Sequence, residues 1–249
     1  MIWIKAIHPA ARHPTRMITF ADAFDLFARR VLPARLTDAV HLRFRLLASL
    51  RQLARETSLE LAEGGQQIVF LARGATKLVA HASQSRDQIV GFHFPGDVFT
   101  VPEPDNYSYS VSALRDSDIL TFNAADFLAL AAGEACVLQY LLENTTLSLR
   151  RCREKTIALG RKNARERLAV FLLAMAERIG AEQDGGVWLD LPMSRRDISE
   201  SLGLTIETVS RQLTRLRDER VIETMGRSGI VLLEPSLLRD RAGFLREAA

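Results

Sequence analysis

The spacing of apolar residues changes repeatedly along this chain, and each change predicts a different kind of element. From residue 18 to about 56 the spacing is helical. Phe20, Phe24, Phe27 and Val31 lie on one face, Pro33 breaks the run, and the pattern resumes from Leu36 to Glu56. From Ser58 to about Phe122 it shortens to β-type runs: Ser58–Leu61, Gln67–Leu71, Lys77–His81, Gln88–Phe94, Tyr107–Leu114 and Asp118–Phe122. Gly64-Gly65, Gly74, Ser83–Asp87 and Pro95-Gly96-Asp97 read as the turns between them. Short strands in succession predict a small antiparallel sandwich or barrel.

Helical spacing returns from Ala124 to about Gly160. Leu138, Leu142, Thr145, Leu149, Cys152, Thr156 and Leu159 are spaced 4, 3, 4, 3, 4 and 3 apart, a heptad seam flanked by Arg150, Arg151, Arg153 and Glu154. Such a seam predicts a two-stranded dimer interface, although one helix packed on its own sandwich could show the same spacing. In a parallel pair Cys152 would lie beside its counterpart, open to oxidation; the alternative is a small buried residue that stays reduced. Gly160 to Asn163 marks a boundary. Ala164 to Ile179 then forms an amphipathic helix with Leu168, Phe171, Leu172, Met175 and Ile179 on its apolar face. Gly185-Gly186 and Pro192 bracket a short strand, Val187–Leu191.

The stretch from Ser194 to Leu216 predicts two short helices joined by a tight turn. Ser194 is a good N-cap, and Asp197 sits where a capping box needs its acidic partner. Ile198 and Leu202 make the apolar stripe of the first helix, Gly203 permits a left-handed turn residue, and Leu204 fills the angle. Thr205 caps the second helix, whose inward side is Val209, Leu213 and Leu216. Its outward side carries Ile206, Glu207, Ser210, Arg211, Thr214 and Arg215. Arg211 has the fork that contacts guanine O6 and N7, and Glu207 can accept from cytosine N4. A plain solvated face, with Glu207 and Arg211 paired at i, i+4, is the alternative. Val221 to Leu233 then reads as a hairpin wing that exposes Arg227 and Ser228 near its turn.

Composition narrows the function classes. Of 249 residues, 47% are hydrophobic and 25% charged, which fits a folded globular chain. The net charge is only +3, but Arg150, Arg151, Arg153, Lys155, Arg161, Lys162, Arg165 and Arg167 concentrate positive charge in the second half. Two cysteines, Cys136 and Cys152, exclude a disulfide framework and a four-thiolate cluster within one chain. The longest apolar run, Leu168 to Ala176, is far short of the roughly 18 residues that span a membrane, and residues 1–17 lack a signal-like apolar core. A cytoplasmic protein is expected. No phosphate loop, nucleophile elbow, catalytic constellation or close metal spacing occurs, so no enzyme activity, metal or cofactor is expected.

These residues resemble the Crp–Fnr superfamily of bacterial regulators, in its Fnr/FixK-like branch. The resemblance rests on Leu204-Thr-Ile-Glu-Thr-Val-Ser-Arg for the recognition helix, Gly160-Arg-Lys-Asn-Ala-Arg-Glu-Arg-Leu-Ala-Val-Phe-Leu-Leu for the helix after the hinge, Phe92-His-Phe-Pro-Gly-Asp for a turn of the sensor roll, and Tyr109-Ser-Val-Ser-Ala-Leu for the strand after it. It implies an α+β chain with a cyclic-nucleotide-binding-like β-roll over 41–134, a dimerisation helix over 135–160 and a winged helix-turn-helix over 161–249; residues 1–40, which the resemblance does not reach, read as an N-terminal extension, helical by its pattern. It also implies a homodimer on double-stranded DNA that regulates transcription by contact with RNA polymerase or by occupying its site. Ile206, Glu207, Ser210 and Arg211 would touch bases. Ser194, Arg195, Arg196, Thr205, Thr208, Arg227 and Ser228 would touch phosphates. Relatives that read TGTGA carry arginine at the position matching Ile206, so an aliphatic residue there points instead to a TTGAT-N4-ATCAA-like palindrome.

Two departures limit what carries over. Cyclic-nucleotide binders need a Gly-Glu pair and then an Arg-Ser or Arg-Thr pair; here Val98 to Asn106 follows Gly96-Asp97, and Tyr109-Ser110 stands near the arginine's place. Binding of cyclic AMP is therefore not expected. The oxygen-sensing branch holds an iron–sulfur cluster on four cysteines, which this chain does not supply. Gating by haem, with His93 as ligand, by another small molecule or by redox chemistry is the alternative; an ordinary strand histidine is the plainer role for His93.

Overall fold

The computed structural model describes residues 18–60, 65–82, 86–183 and 185–244. The expectations for residues 1–17, Leu61, Gly64 and the turn at 83–85 lie outside the described residues.

The first helix, α1 (Phe20–Val31), starts at a capping box in which Thr19 and Asp22 satisfy each other's backbone N–H. Its stripe of Ala23, Phe24, Phe27 and Val31 is buried. The second, α2 (Asp38–Leu47), ends nine residues before Glu56, and Ser49–Leu53 is strand β1, paired antiparallel along its whole length. The helix expected from Leu36 to Glu56 is thus only half a helix. Leu50 and Leu53, at i and i+3, fit either element, and pairing with a neighbouring strand decides the matter.

The remaining strands of the roll are β2 (Ser58–Glu60), β3 (Gln67–Ala82), β4 (Arg86–His93), β5 (Val98–Val101) and β6 (Ser108–Asn123). All pair antiparallel in one six-stranded sheet, with the path β1-β6-β3-β4, β2 on β6 and β5 on β3. Two pairs of expected strands are fused: Gln67–Leu71 with Lys77–His81 in β3, and Tyr107–Leu114 with Asp118–Phe122 in β6. Gly74 is therefore not a turn between strands. The β3–β6 register slips on either side of it. Its φ is +93°, and a Cβ there would lie 2.3 Å from Ser117 Oγ. Only glycine lets the long hairpin bend at this close approach.

The run Ile68–Ala72 is continuously apolar because both faces of β3 are covered. Ile68, Phe70 and Ala72 face a cluster built on α1, where Phe27 meets Phe122 at 4.9 Å and Phe70 at 5.5 Å between ring centroids. Val69 and Leu71 face the roll interior with Phe99, Val101, Val111 and Ile119.

Two helices follow: α3 (Ala124–Ala131), capped by Asn123, and α4 (Ala135–Arg161), 27 residues long. The C-terminal part comprises α5 (Ala164–Ile179), β7 (Ala181–Gln183), β8 (Gly186–Asp190), α6 (Arg195–Leu202), α7 (Ile206–Asp218), β9 (Ile222–Met225), β10 (Gly229–Leu232) and α8 (Pro235–Arg241). The local apolar pattern does not announce the short β5, β7 and α8. Strands β7-β8-β10-β9 form a second antiparallel sheet. Its core of Leu168, Leu172, Leu213 and Ile230 is continuous with Val79, Ile89, Phe92 and Phe94 of the roll, so the two parts share one apolar cluster. Among the described residues no helix is long and apolar enough to cross a membrane.

Candidate nucleic-acid interface

The helix-turn-helix forms where its caps place it. Ser194 Oγ accepts from the Asp197 N–H at 3.2 Å, and Asp197 Oδ2 accepts from the Ser194 N–H at 2.8 Å. Gly203 is left-handed at φ 60°, and the Leu204 N–H donates to the Ser199 carbonyl at 3.0 Å, closing the turn. Thr205 Oγ1 then accepts from the Thr208 N–H at 3.2 Å, and its hydroxyl donates to Thr208 Oγ1 at 3.0 Å. Leu204 packs on the shared core as expected.

Val209, Leu213 and Leu216 of α7 are buried, and Gln212 joins them. The opposite side presents Glu207, Arg211, Thr214 and Arg215 to solvent, with Ile206 exposed at the helix start and Ser210 half-buried. The ion pairs internal to this part, among the described residues, join Arg196 to Glu200, Arg217 to Asp218, and Glu219 to Arg165 and Arg241. Among the described residues none joins Glu207 to Arg211, although their spacing permits it. Both keep their hydrogen-bonding capacity at the N-terminal end of the helix, where base edges are met.

Of the expected phosphate-contacting residues, Arg195, Arg227 and Ser228 border one cleft, whereas Ser194, Arg196, Thr205 and Thr208 do not line it. Arg195 at the start of α6 faces Thr224, Arg227 and Ser228 of the wing across a floor that includes Met193 and Ile230. Arg195, Arg196 and Arg227 are exposed, Arg196 with a long 3.8 Å contact to Glu200. Ser228 is half-buried, and its carbonyl accepts from the Leu191 N–H at 3.0 Å. A Cβ at Gly229 would lie 2.3 Å from the Trp188 ring, so this glycine lets the wing settle on Trp188.

Of the 27 residues in α4, Val137 and Ala158 are the buried ones. The heptad positions Leu138, Leu142, Thr145, Leu149, Cys152 and Thr156 are exposed, Leu142 at 68%. Leu159 differs: it is half-buried, and its Cδ2 would lie 3.6 Å from a Cβ on Gly203 of the turn.

Polar contacts between the roll and the C-terminal part escaped the sequence reading. Lys77 of β3 donates to Asp197 Oδ1 at 2.6 Å, and Gln88 of β4 to the Glu200 carbonyl at 2.8 Å. Arg178 of α5 donates to Asp97 Oδ2 at 2.6 Å and to the Phe92 carbonyl at 2.7 Å, with its guanidinium over the Phe94 ring. Lys155 of α4 donates to the Ile89 carbonyl at 2.5 Å and to Ser201 Oγ at 3.0 Å. Burial lowers the Lys155 pKa to about 8, partly offset by Cys152. Asp197 has its pKa lowered: burial pushes it up, but hydrogen bonds from Lys77 and Ser194 outweigh that. None of these pairs is close in sequence, and no local pattern announces them.

In the roll, His93 stacks flat on Phe99, with centroids 3.6 Å apart and planes at 9°. Burial lowers its pKa to about 3, so the ring is neutral. Among the described residues its Nε2 has no hydrogen-bond partner, and it faces Gly91, where a Cβ would lie 3.1 Å away. It is a packed strand residue, though not a hydrogen-bonded one at Nε2. Near the place of the missing arginine, Ser110 bonds to His81 Nε2 at 2.7 Å and Tyr109 packs on the roll core.

Comparison with known proteins agrees with this geometry. Residues 55–134 match the cyclic nucleotide-binding domain family, and residues 166–241 match the Crp-like helix-turn-helix domain family. The chain is 33% identical over 170 residues to the nitrogen fixation regulation protein FixK of Rhizobium meliloti, covering 68% of this chain and 75% of FixK. It is 32% identical over 208 residues to the transcriptional activator protein FnrL of Cereibacter sphaeroides, covering 79% and 84%. The solved structure of FixK2 from Bradyrhizobium japonicum superposes with a TM-score of 0.68 at 31% identity, covering 81% of this chain and 99% of that one. This chain belongs to the Crp–Fnr superfamily of DNA-binding transcription regulators, in its Fnr/FixK branch.

Proposed function

We propose that the protein works as a homodimer that places α7 of each protomer in successive major grooves of a TTGAT-N4-ATCAA-like site. What carries this reading is the unpaired outer face of α7. Arg211 takes the guanine, Glu207 the cytosine on the complementary strand, Ser210 the neighbouring thymine or a phosphate, and Ile206 a thymine methyl. Ser194, Arg195, Arg196, Thr205, Thr208, Arg227 and Ser228 fix the register through phosphates. The exposed seam of α4 supplies the two-fold contact, from Leu138 to Leu159 through Leu142, Thr145, Leu149, Cys152 and Thr156.

Regulation follows from contact with RNA polymerase in the cytoplasm or from occupying the site. The naming of FnrL as an activator favours the first. Cyclic AMP is not the signal: Phe99, Val111 and Ile119 fill the roll interior, and Ser110 with Tyr109 offers no cation to a cyclic phosphate.

Selection of random duplex DNA by the purified protein tests the site. Recovery of inverted TTGAT elements supports the reading, and TGTGA half-sites or unpaired elements contradict it. Replacing both Leu142 and Leu149 by aspartate should give folded monomers that no longer bind the palindrome. A double variant that still sediments as a dimer places the interface elsewhere.

A further inference from the structure

The link between the dimerisation helix and the DNA-binding part is two residues long. Lys162 (φ −103°, ψ 145°) ends α4 and Asn163 (φ −74°, ψ 172°) begins α5, both in extended backbone. Extended residues between two helices leave the angle between them to be set by side chains. In a two-fold dimer that angle determines how far apart the two α7 helices stand, and hence which half-site separation they fit.

One side chain spans the link. Arg167, in the first turns of α5, donates through Nε to the Lys162 carbonyl at 2.9 Å and through Nη2 to the Leu159 carbonyl at 2.8 Å. Its other terminal nitrogen, Nη1, donates to the Leu202 carbonyl at 3.0 Å, with the Gly203 carbonyl at 3.5 Å. One planar fork thus caps the C-terminal end of the dimerisation helix and that of the first helix of the helix-turn-helix. Both ends carry unsatisfied carbonyls and partial negative charge, and a guanidinium suits them. A lysine ammonium, a single point donor, does not reach both sets of carbonyls.

We infer that Arg167 is a positioning residue for DNA recognition: it fixes the direction of the recognition helix relative to the dimer axis and so sets the spacer length. It touches no base and has no part in half-site sequence preference. Lys155, bonded to Ser201, and Lys162, bonded to the Ala242 and Gly243 carbonyls, cross the same region. Loss of Arg167 therefore loosens the angle and does not release the domain.

The inference rests on the dimer and palindrome proposed above, and the test separates the two. The probe is a duplex library carrying the half-site that wild type selects, inverted, with spacers of roughly two to eight base pairs. Wild type should enrich one spacer. Arg167→Met should spread over several, with discrimination reduced roughly tenfold or more, the loss expected for charge-assisted hydrogen bonds. Its half-site sequence preference and cooperative melting should persist.

If Arg167→Met does not fold, Arg167→Lys carries the same test with the same expected spreading. A folded variant that keeps the wild-type spacer discrimination overturns the inference, as does one that loses half-site preference to the same degree. Failure of both variants to fold also overturns it, since the role would then be general stability. Wild type that enriches no paired half-sites overturns the two-fold reading, and this inference with it.

Discussion

In the roll, the fully buried Asp118 holds Arg73 at 2.5 Å and Gln52 at 3.1 Å, while Asp97 holds Arg178 at 2.6 Å. On α7, Glu207 and Arg211 lie exposed one turn apart, and neither has an ion-pair partner among the described residues. The same residue types thus do opposite work. Charges that are enclosed and fully partnered specify how strands and domains meet, because removing one partner strands the other without solvent. Charges left open can exchange water for a base edge or a phosphate. Mutations in the two regions should therefore move different observables: stability in the first, DNA selectivity in the second.

The largest effect is expected from Asp118→Ala. It leaves Arg73, with its side chain 12% exposed, without its carboxylate and beside the donors of Gln52 that the same carboxylate accepts. Stability should fall by about 3–5 kcal/mol in urea unfolding, while the folded fraction keeps its half-site preference. A loss below about 1 kcal/mol would remove the distinction between the two kinds of charge.

Lys155 sharpens the comparison through pH. Its folded pKa of about 8 lies below the ordinary 10.5, so between these values the unfolded chain binds more protons than the folded one. The burial penalty is complete below the window and fades across it. Relative to Lys155→Met, wild type should gain about 1–2 kcal/mol of stability as pH rises through that window. A difference that stays flat with pH would show that the ammonium is not held in the junction between α4, β4 and α6.

The smallest effect belongs to the wing. Arg227→Ala should weaken binding to all sequences alike and lower the slope of log affinity against log salt by about 0.9. A change of sequence preference instead would make Arg227 a base reader.

The two regions also differ in how much of them was legible in the sequence. Ser194 with Asp197, Gly203 and Thr205 are local signals that the backbone needs at those places, so α6, the turn and α7 could be read directly. The seam of α4 was legible as a periodicity. The roll was read less well because its elements depend on distant partners. Gly74 has the same signature in a turn and in a bulge, and only the approach of Ser117 distinguishes them. Residues 49–53 carry helix-compatible spacing until β6 pairs with them. Contacts such as Lys77–Asp197 and Arg167–Leu202 join residues 120 and 35 positions apart and appear only when the parts are docked.

The central claim, that α7 reads bases through its unpaired face, is tested most directly by a double-mutant cycle across the interface. Wild type and Arg211→Ala are titrated against the selected palindrome and against one in which the guanine of each half-site is replaced. The account predicts that Arg211→Ala costs about 1–3 kcal/mol on the intact site and almost nothing on the substituted one, with thermal stability unchanged. Equal losses on both sites, or no loss on either, would contradict it.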